Sequence, residues 1–482
     1  MQRILNFING EYVAPVSNQY LKGFNPAIGA VYSEVPDSDE RDVALAVKAA
    51  TAAFEVWSNY TQEQRSDILL KIAQGIENRL EEFALAETND QGKPLWLSKV
   101  MDIPRAVSNF KFYATTALSL SGEFHKTDSQ IFNYTLRSPI GIVGCISPWN
   151  LPLYLFSWKI TPALAMGNCV IAKPSEITPM TASMLGEVCN AAGLPKGVLN
   201  IIHGLGPKVG SSITAHQDIK AISFTGGTKT GAEISRIAAP MFKKMSLELG
   251  GKNPNIIFDD CDFEKTVKIS AAAAFTNQGE ICLCGSRIFI QDTLYERFKN
   301  AFVEEVKKRK VGDPLLDTSR VGAIVSKPHF EKVLSYIALA KEEGGSIILG
   351  GGPVEVPGRC KDGWFIEPTI IEGLAYDCRV NREEIFGPVV TLVPFSTEAE
   401  ALKMANSTQY GLACTIFTEN LSKAHRVAAK IESGIVWINC WLERDLRTPF
   451  GGVKQSGVGR VGGFEALKFF TEEKNVCIKI DS

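Results

Sequence analysis

Between residues 140 and 258 short β-rich runs alternate with helical stretches. They read IGIVGCIS, WNLPLYLFSWKITPALAMG, CVIAKPS, TPMTASMLGEVCNAA, VLNIIHG, PKVGSSITAH, AISFTGG, TKTGAEISRIAA and KMSLELGG. Alternation of that kind builds βαβ units around a parallel sheet, which leaves few topologies open. An open α/β sheet takes its ligand at the carboxyl ends of its strands, so AKP at 172–174 and FTGG at 224–227 mark where a nucleotide should lie.

From about residue 265 a second α/β region follows, with an amphipathic helix carrying Leu294, Phe298, Phe302 and Val306 at four-residue spacing. Strand-like SIILGG, FIEPTII, VVTLVPF, LACTIFT and GIVWIN come next, interleaved with helical TEAEALKMAN and LSKAHRVAAKIES. The N-terminal part is expected to be helical over 64–89 and again over 97–119, with Pro104 kinking or restarting the second helix. A chain of 482 residues exceeds one hydrophobic core and calls for two or three domains. Its 51 basic and 53 acidic residues nearly cancel, so no charge excess draws it to nucleic acid or an anionic membrane. With no apolar run that fits a signal peptide or a spanning helix, a soluble, cytoplasmic protein acting on small molecules is expected.

The eleven cysteines are scattered, unlike a secreted disulfide framework, and most should be reduced. Two stand one residue apart in NQGEICLCGS at 277–286. A structural metal wants four ligands, and no second close Cys or His pair exists to complete a site with Cys282 and Cys284, so no metal is expected. On a β-like segment the two would share a face, but nothing favours a disulfide. A nucleophile or an inert core cysteine remains, and composition alone favours the inert one.

Other segments bear on that choice. SPWNLP contains Ile146's neighbours Pro148, Trp149 and Asn150; IAKPSE contains Lys173 and Glu176; FTGGTKTG contains Gly226, Gly227 and Gly231; LELGGKNP contains Glu248. EEIFGP, with Glu384 and Phe386, and PFGGVKQSGVGR, with Phe450, follow downstream. In type and order these segments resemble the signatures of the NAD(P)-dependent aldehyde dehydrogenase superfamily, over essentially the whole chain. The resemblance implies an α/β fold of two Rossmann-type parallel-sheet domains plus a β-arm for oligomerisation. It places an NAD-binding domain at 1–120 and 140–250, a catalytic domain at 251–455 and the arm at 121–139 and 465–482. SQIFNYTLRS and KNVCIKI match that arm, the latter as an edge strand needing a partner, and imply a homodimer or homotetramer.

The resemblance makes Cys282 the nucleophile. Thiolate attack is needed because an aldehyde carbon releases hydride only once it has become a tetrahedral alkoxide. Asn150, by itself a turn residue before Pro152, becomes an oxyanion donor beside the Cys282 N–H. Glu248, by itself a strand-end carboxylate, becomes the base that activates water on the thioester, with Gly250 and Gly251 granting it mobility. Cys284 is left as a neighbour without a role. Ile146, Pro148, Trp149, Lys173, Glu176, Gly226, Gly227, Gly231, Glu384 and Phe386 fall to the cofactor. The FTGGTKTG turn presents N–H groups to a pyrophosphate, and Glu176 accepts from ribose hydroxyls while repelling a 2′-phosphate, which favours NAD. Where the family most often has Gln, this chain has Glu280; like most Glu it is expected to face solvent, although turned inward it would raise the thiol pKa.

Two arginines bear on the substrate. Arg105 in DIPRA and Arg444 in ERDLRTPFGG have a plain reading as surface groups paired to Asp102 or Asp445. With SPWNLP, however, these segments resemble the 2-aminomuconate and 2-hydroxymuconate 6-semialdehyde dehydrogenases. That implies a clamp by Arg105 and Arg444, near Phe450, on a carboxylate distal to the aldehyde, with Arg444 preferred over Arg447. A broad-specificity aldehyde dehydrogenase, a CoA-acylating enzyme and a silent scaffold are the other readings. The last two sit badly with the presence of Glu248, and of Cys282, Glu248 and Asn150 together.

Overall fold

The computed structural model describes residues 2–480. Met1, Asp481 and Ser482, at the outer ends of the expected cofactor domain and arm, lie outside the described residues. Five parallel strands form the middle of the first sheet: β1 Ile142–Ile146, β2 Cys169–Lys173, β3 Leu199–Ile201, β4 Ile219–Thr225 and β5 Lys244–Glu248. Their spatial order is β3-β2-β1-β4-β5. The runs are almost wholly apolar because helices cover both faces; β1 and β2 are buried at every position. Strand order reverses between β1 and β4, so the crevice beyond their carboxyl ends is the ligand position for this topology. Two short N-terminal strands, Asn6–Ile8 and Glu11–Val13, extend the sheet past β3, and Gly457–Val458 joins β5 antiparallel.

The region expected to be one helix over 64–89 is two, Gln62–Asn78 and Leu80–Gln91, because the backbone leaves the helical region at Arg79. The second of them ends on left-handed Gly92. Pro104 does restart a helix. It sits in the first turn of Ile103–Thr116, where its missing N–H has no intrahelical partner to lose, after a π-helical turn at Ser98–Asp102.

Residues 249–252 carry the chain from β5 into the second sheet. Its parallel strands are β6 Asn253–Ile257, β7 Gly285–Gln291, β8 Thr369–Glu372, β9 Val389–Phe395, β10 Ala413–Phe417 and β11 Ile435–Ile438, in the order β8-β9-β7-β6-β10-β11. Ser346–Leu349 adds an antiparallel edge. The helix Tyr295–Lys307 buries Phe298, Phe302 and Val306 as its spacing predicts, and Phe275, Phe302 and Phe298 stack in series. A third, separate sheet joins Phe124–Lys126, Ile131–Pro139 and Thr471–Lys479. No helix among the described residues is long and apolar enough to cross a membrane.

Candidate active site

The carboxyl ends of the first sheet face the amino ends of β6 and β7, and the site occupies the gap. A cavity of about 280 Å³ is lined by Trp149, Asn150, Gly226, Cys282, Glu384 and Phe386, among others. Outward it shares Pro148, Trp149, Gly226 and Gly227 with a cleft of about 550 Å³ that also touches Ile146, Lys173 and Glu176. Inward, Cys282 also borders a small pocket with Tyr154, Trp158, Glu248, Arg444 and Phe450. The thiol thus stands where an outer cleft and an inner pocket meet.

The NQGEICLCGS segment is not a strand; β7 begins only at Gly285, so Cys282 and Cys284 do not share a face by strand geometry. Cys284 is buried in an apolar cluster with Leu283 and Trp437, whereas Cys282 is half-buried. Asn253 Nδ2 donates to both carbonyls, Cys282 O at 2.7 Å and Cys284 O at 3.0 Å, and so holds the segment on β6. Burial pushes the Cys282 thiol up to about 12; Glu384 and Glu248 add to the rise and Arg444 opposes it.

Glu280 does not face solvent. It is fully buried, and its carboxylate accepts from Gln91 Nε2 at 2.6 Å and Val325 N–H at 3.2 Å. Those partners turn it away from Cys282, whose thiol is shifted by Glu384 and Glu248 instead. Burial holds this carboxyl well above the usual carboxylate range, while the hydrogen bonds from Val325 and Gln91 pull the other way.

Asn150 follows β1. Its Nδ2 donates to Glu280 O at 3.0 Å, while its own carbonyl accepts from Lys93 Nζ and Asn277 Nδ2, both at 3.1 Å. Lys93 is paired to Asp102 at 2.9 Å with both side chains fully buried, so Asp102 is not free for Arg105. Glu248 ends β5 with 4% of its surface exposed, and neither carboxyl oxygen has a hydrogen-bond partner among the described residues. Burial raises its pKa to about 8 against the pull of Lys159, Arg460 and Arg444.

On the outer side, Lys173 Nζ donates to Glu176 at 3.1 Å. Gly227 precedes the helix Thr228–Ala238, which has no side-chain cap, and a Cβ there would meet nothing within 4 Å. Gly231 departs from its expected place. It is buried inside that helix, where a Cβ would come within 2.5 Å of Leu249, so it sets helix packing rather than lining the cleft. Glu384 accepts from Gly251 N–H at 2.8 Å. Phe386 has φ +62°; its carbonyl accepts from His329 Nε2 at 2.6 Å and its ring meets Trp149 edge-on.

Arg444 donates to Tyr154 Oη at 2.7 Å and lies over the Phe450 ring at 4.1 Å. Arg105 and Arg444 both lie over the rings of Tyr154 and Trp158. Arg105 Nε and Nη2 are buried without a hydrogen-bond partner among the described residues. Arg447 instead pairs with Asp445 at 2.6 Å on the surface. Sequence reasoning missed Tyr154, Trp158, His329, Lys332 and Lys93. The first two stand four apart on the helix Pro152–Ala165, a spacing that was available to read; the others carry no local pattern.

The family model described as "Aldehyde dehydrogenase family" matches residues 12–476. A 2-aminomuconic semialdehyde dehydrogenase of Homo sapiens is 47% identical over 477 residues, covering 98% of each chain. A 2-hydroxymuconic semialdehyde dehydrogenase of Pseudomonas sp. (strain CF600) is 45% identical over 486 residues, covering 100% of each. An aldehyde dehydrogenase from Bacillus cereus, solved as an NAD+ complex, superposes with a TM-score of 0.97 at 38% identity, covering 100% of this chain and 97% of its own. The chain belongs to the aldehyde dehydrogenase family.

Proposed function

We propose that the protein oxidises, with NAD, a semialdehyde bearing a carboxylate at the end opposite its aldehyde, of the 2-aminomuconate or 2-hydroxymuconate 6-semialdehyde type, to the dicarboxylic acid. The observation that carries this reading is Arg444, which lines the inner pocket of Cys282, together with Arg105, which lies over the same Tyr154 and Trp158 rings and has its Nε and Nη2 buried without a hydrogen-bond partner among the described residues. Two neighbouring half-buried guanidinium groups, neither of them in a salt bridge among the described residues, suit an anion, and a carboxylate matches their fork. Relatives named for muconic semialdehydes support it.

The outer cleft suits a dinucleotide. The uncapped N–H groups at the start of Thr228–Ala238, open over Gly227, fit a pyrophosphate; Glu176 and Lys173 fit the adenosine ribose, and Glu384 and Phe386 the nicotinamide end. These residues would hold NAD, which when bound would supply the acceptor for the hydride leaving the substrate carbon. Cys282 adds to the aldehyde, the Asn150 amide and the Cys282 N–H receive the oxyanion, and Glu248 takes a proton from the water that cleaves the resulting thioester. In this reading residues 1–120 and 140–250 form the cofactor domain, 251–455 the catalytic domain, and 121–139 with 465–482 the arm of a homodimer or homotetramer. Eleven free cysteines fit a reducing, cytoplasmic setting.

The test is kcat/KM for a muconate semialdehyde and for hexanal in wild type, Arg105→Ala and Arg444→Ala. Losing one charge-assisted contact costs about 2–5 kcal/mol, so the acid substrate should lose about 1.5 to 3.5 decades while hexanal loses far less. Equal losses on both would leave a broad-specificity aldehyde dehydrogenase. Acyl-CoA formed on adding CoA would refute hydrolysis of the thioester.

A further inference from the structure

The backbone before the nucleophile is strained. Nine non-glycine residues among those described have positive φ, and two of them, Asn277 (φ +53°) and Gln278 (φ +55°), are consecutive and followed by Gly279 at φ +74°. Left-handed runs persist only where surrounding contacts over-determine them. This one is wedged: a Cβ on Gly279 would lie 2.3 Å from Gly387 O, next to Phe386, which is itself left-handed. The Glu280 carboxylate, fully buried, fastens the end of the run to two distant segments through Gln91 at 2.6 Å and the Val325 N–H at 3.2 Å. Gln278 is tied to the same segments, Nε2 to Gln91 Oε1 at 3.4 Å and Oε1 to the Gly322 N–H at 3.3 Å. On the other side of the same residue, Glu280 O is the acceptor that orients the Asn150 amide, and Cys282 lies two residues on.

We propose that Glu280 is a positioning residue: its carboxylate latches residues 277–279 in their left-handed path and so sets the Asn150 amide against the Cys282 thiol. The latch acts on oxyanion geometry. It rests on the reading of Cys282 as nucleophile and Asn150 as oxyanion donor, but not on any particular aldehyde. Nitrophenyl acetate provides a probe that needs neither cofactor nor semialdehyde: Cys282 Sγ bonds to the acetyl carbon, the ester C–O bond breaks, nitrophenolate leaves, and the thiol proton passes to solvent. Iodoacetamide alkylates the same sulfur by displacing iodide and uses no oxyanion donor.

In the full-length protein, Glu280→Ala should slow acylation of Cys282 by about 100-fold, the scale of a lost oxyanion donor, while alkylation stays within about threefold. Glu280→Gln, which keeps one oxygen for the Val325 N–H, should recover about tenfold of that loss. General disruption of the fold would depress acylation and alkylation together. Should Glu280→Ala fail to fold, Gln91→Ala carries the test, with an expected acylation loss of about tenfold and unchanged alkylation. A wild-type ratio of acylation to alkylation in these variants overturns the latch alone. A wild-type enzyme that acylates nowhere on Cys282 overturns the functional reading beneath it as well.

Discussion

At Glu248 burial does the chemical tuning. A carboxylate of ordinary acidity is a poor base near neutrality, but one raised to about 8 holds its proton tightly enough to take one from water. Lys159, Arg460 and Arg444 pull the other way, so desolvation is the winning effect. Below about pH 8 the group is protonated and idle as a base; above it the carboxylate dominates. Thioester hydrolysis should therefore rise with pH up to about 8 and level off beyond. Glu248→Gln should release one burst of NADH per site and then stall, with that pH dependence gone. Steady turnover by this variant would refute the assignment. The Cys282 thiol, raised to about 12, rests protonated, and Cys282→Ala should abolish oxidation while Cys284→Ala, in its apolar cluster, leaves it nearly intact.

At the scale of elements, the loops after β1, β2, β4 and β5 converge because parallel strands put all their carboxyl ends on one edge. That rule marked AKP at 172–174 and FTGG at 224–227 in the sequence, whereas Asn150 and Glu248 were picked out only by the family resemblance; Glu176, just after the first of these segments, carries a prediction. It lies in the outer cleft, held by Lys173 at 3.1 Å, where a ribose 2′-phosphate would meet a carboxylate. kcat/KM should favour NAD over NADP, and Glu176→Gln should narrow the gap; equal values in wild type would refute the placement. Less legible were features fixed by distant partners. Glu280 is buried because Gln91 and Val325 reach it, and Gln91 is 189 residues away in sequence. Gly231 was misread because a glycine motif does not say which face of the helix meets Leu249. The hairpin of Asn6–Ile8 and Glu11–Val13 did have a local signal, Asn9-Gly10 between the apolar pairs Phe7-Ile8 and Tyr12-Val13, with φ +53° and +75° as such a turn requires.

At the scale of the whole molecule, the sheet of Phe124–Lys126, Ile131–Pro139 and Thr471–Lys479 presents exposed apolar side chains. In the three-stranded arm, Phe124 pairs with Tyr134, Phe132 with Ile478, and Tyr134 with Val476, so cross-strand register gathers aromatic and aliphatic side chains on a common face. Phe124 is 64% exposed, Leu136 46% and Ile478 43%, and the outer edge of Thr471–Lys479 carries no neighbouring strand among the described residues. A three-stranded sheet with an open edge and an exposed apolar face is a surface that natural proteins cover or blunt. A second copy of this chain would cover it, in keeping with the proposed homodimer or homotetramer. Leu136→Glu combined with Ile478→Glu places two charges on that face without touching the catalytic cavity. Light scattering should give a multiple of the monomer mass for wild type and a smaller assembly for the double variant. If wild type is monomeric at micromolar concentration, or if the double variant keeps the wild-type mass, the arm does not hold the assembly together.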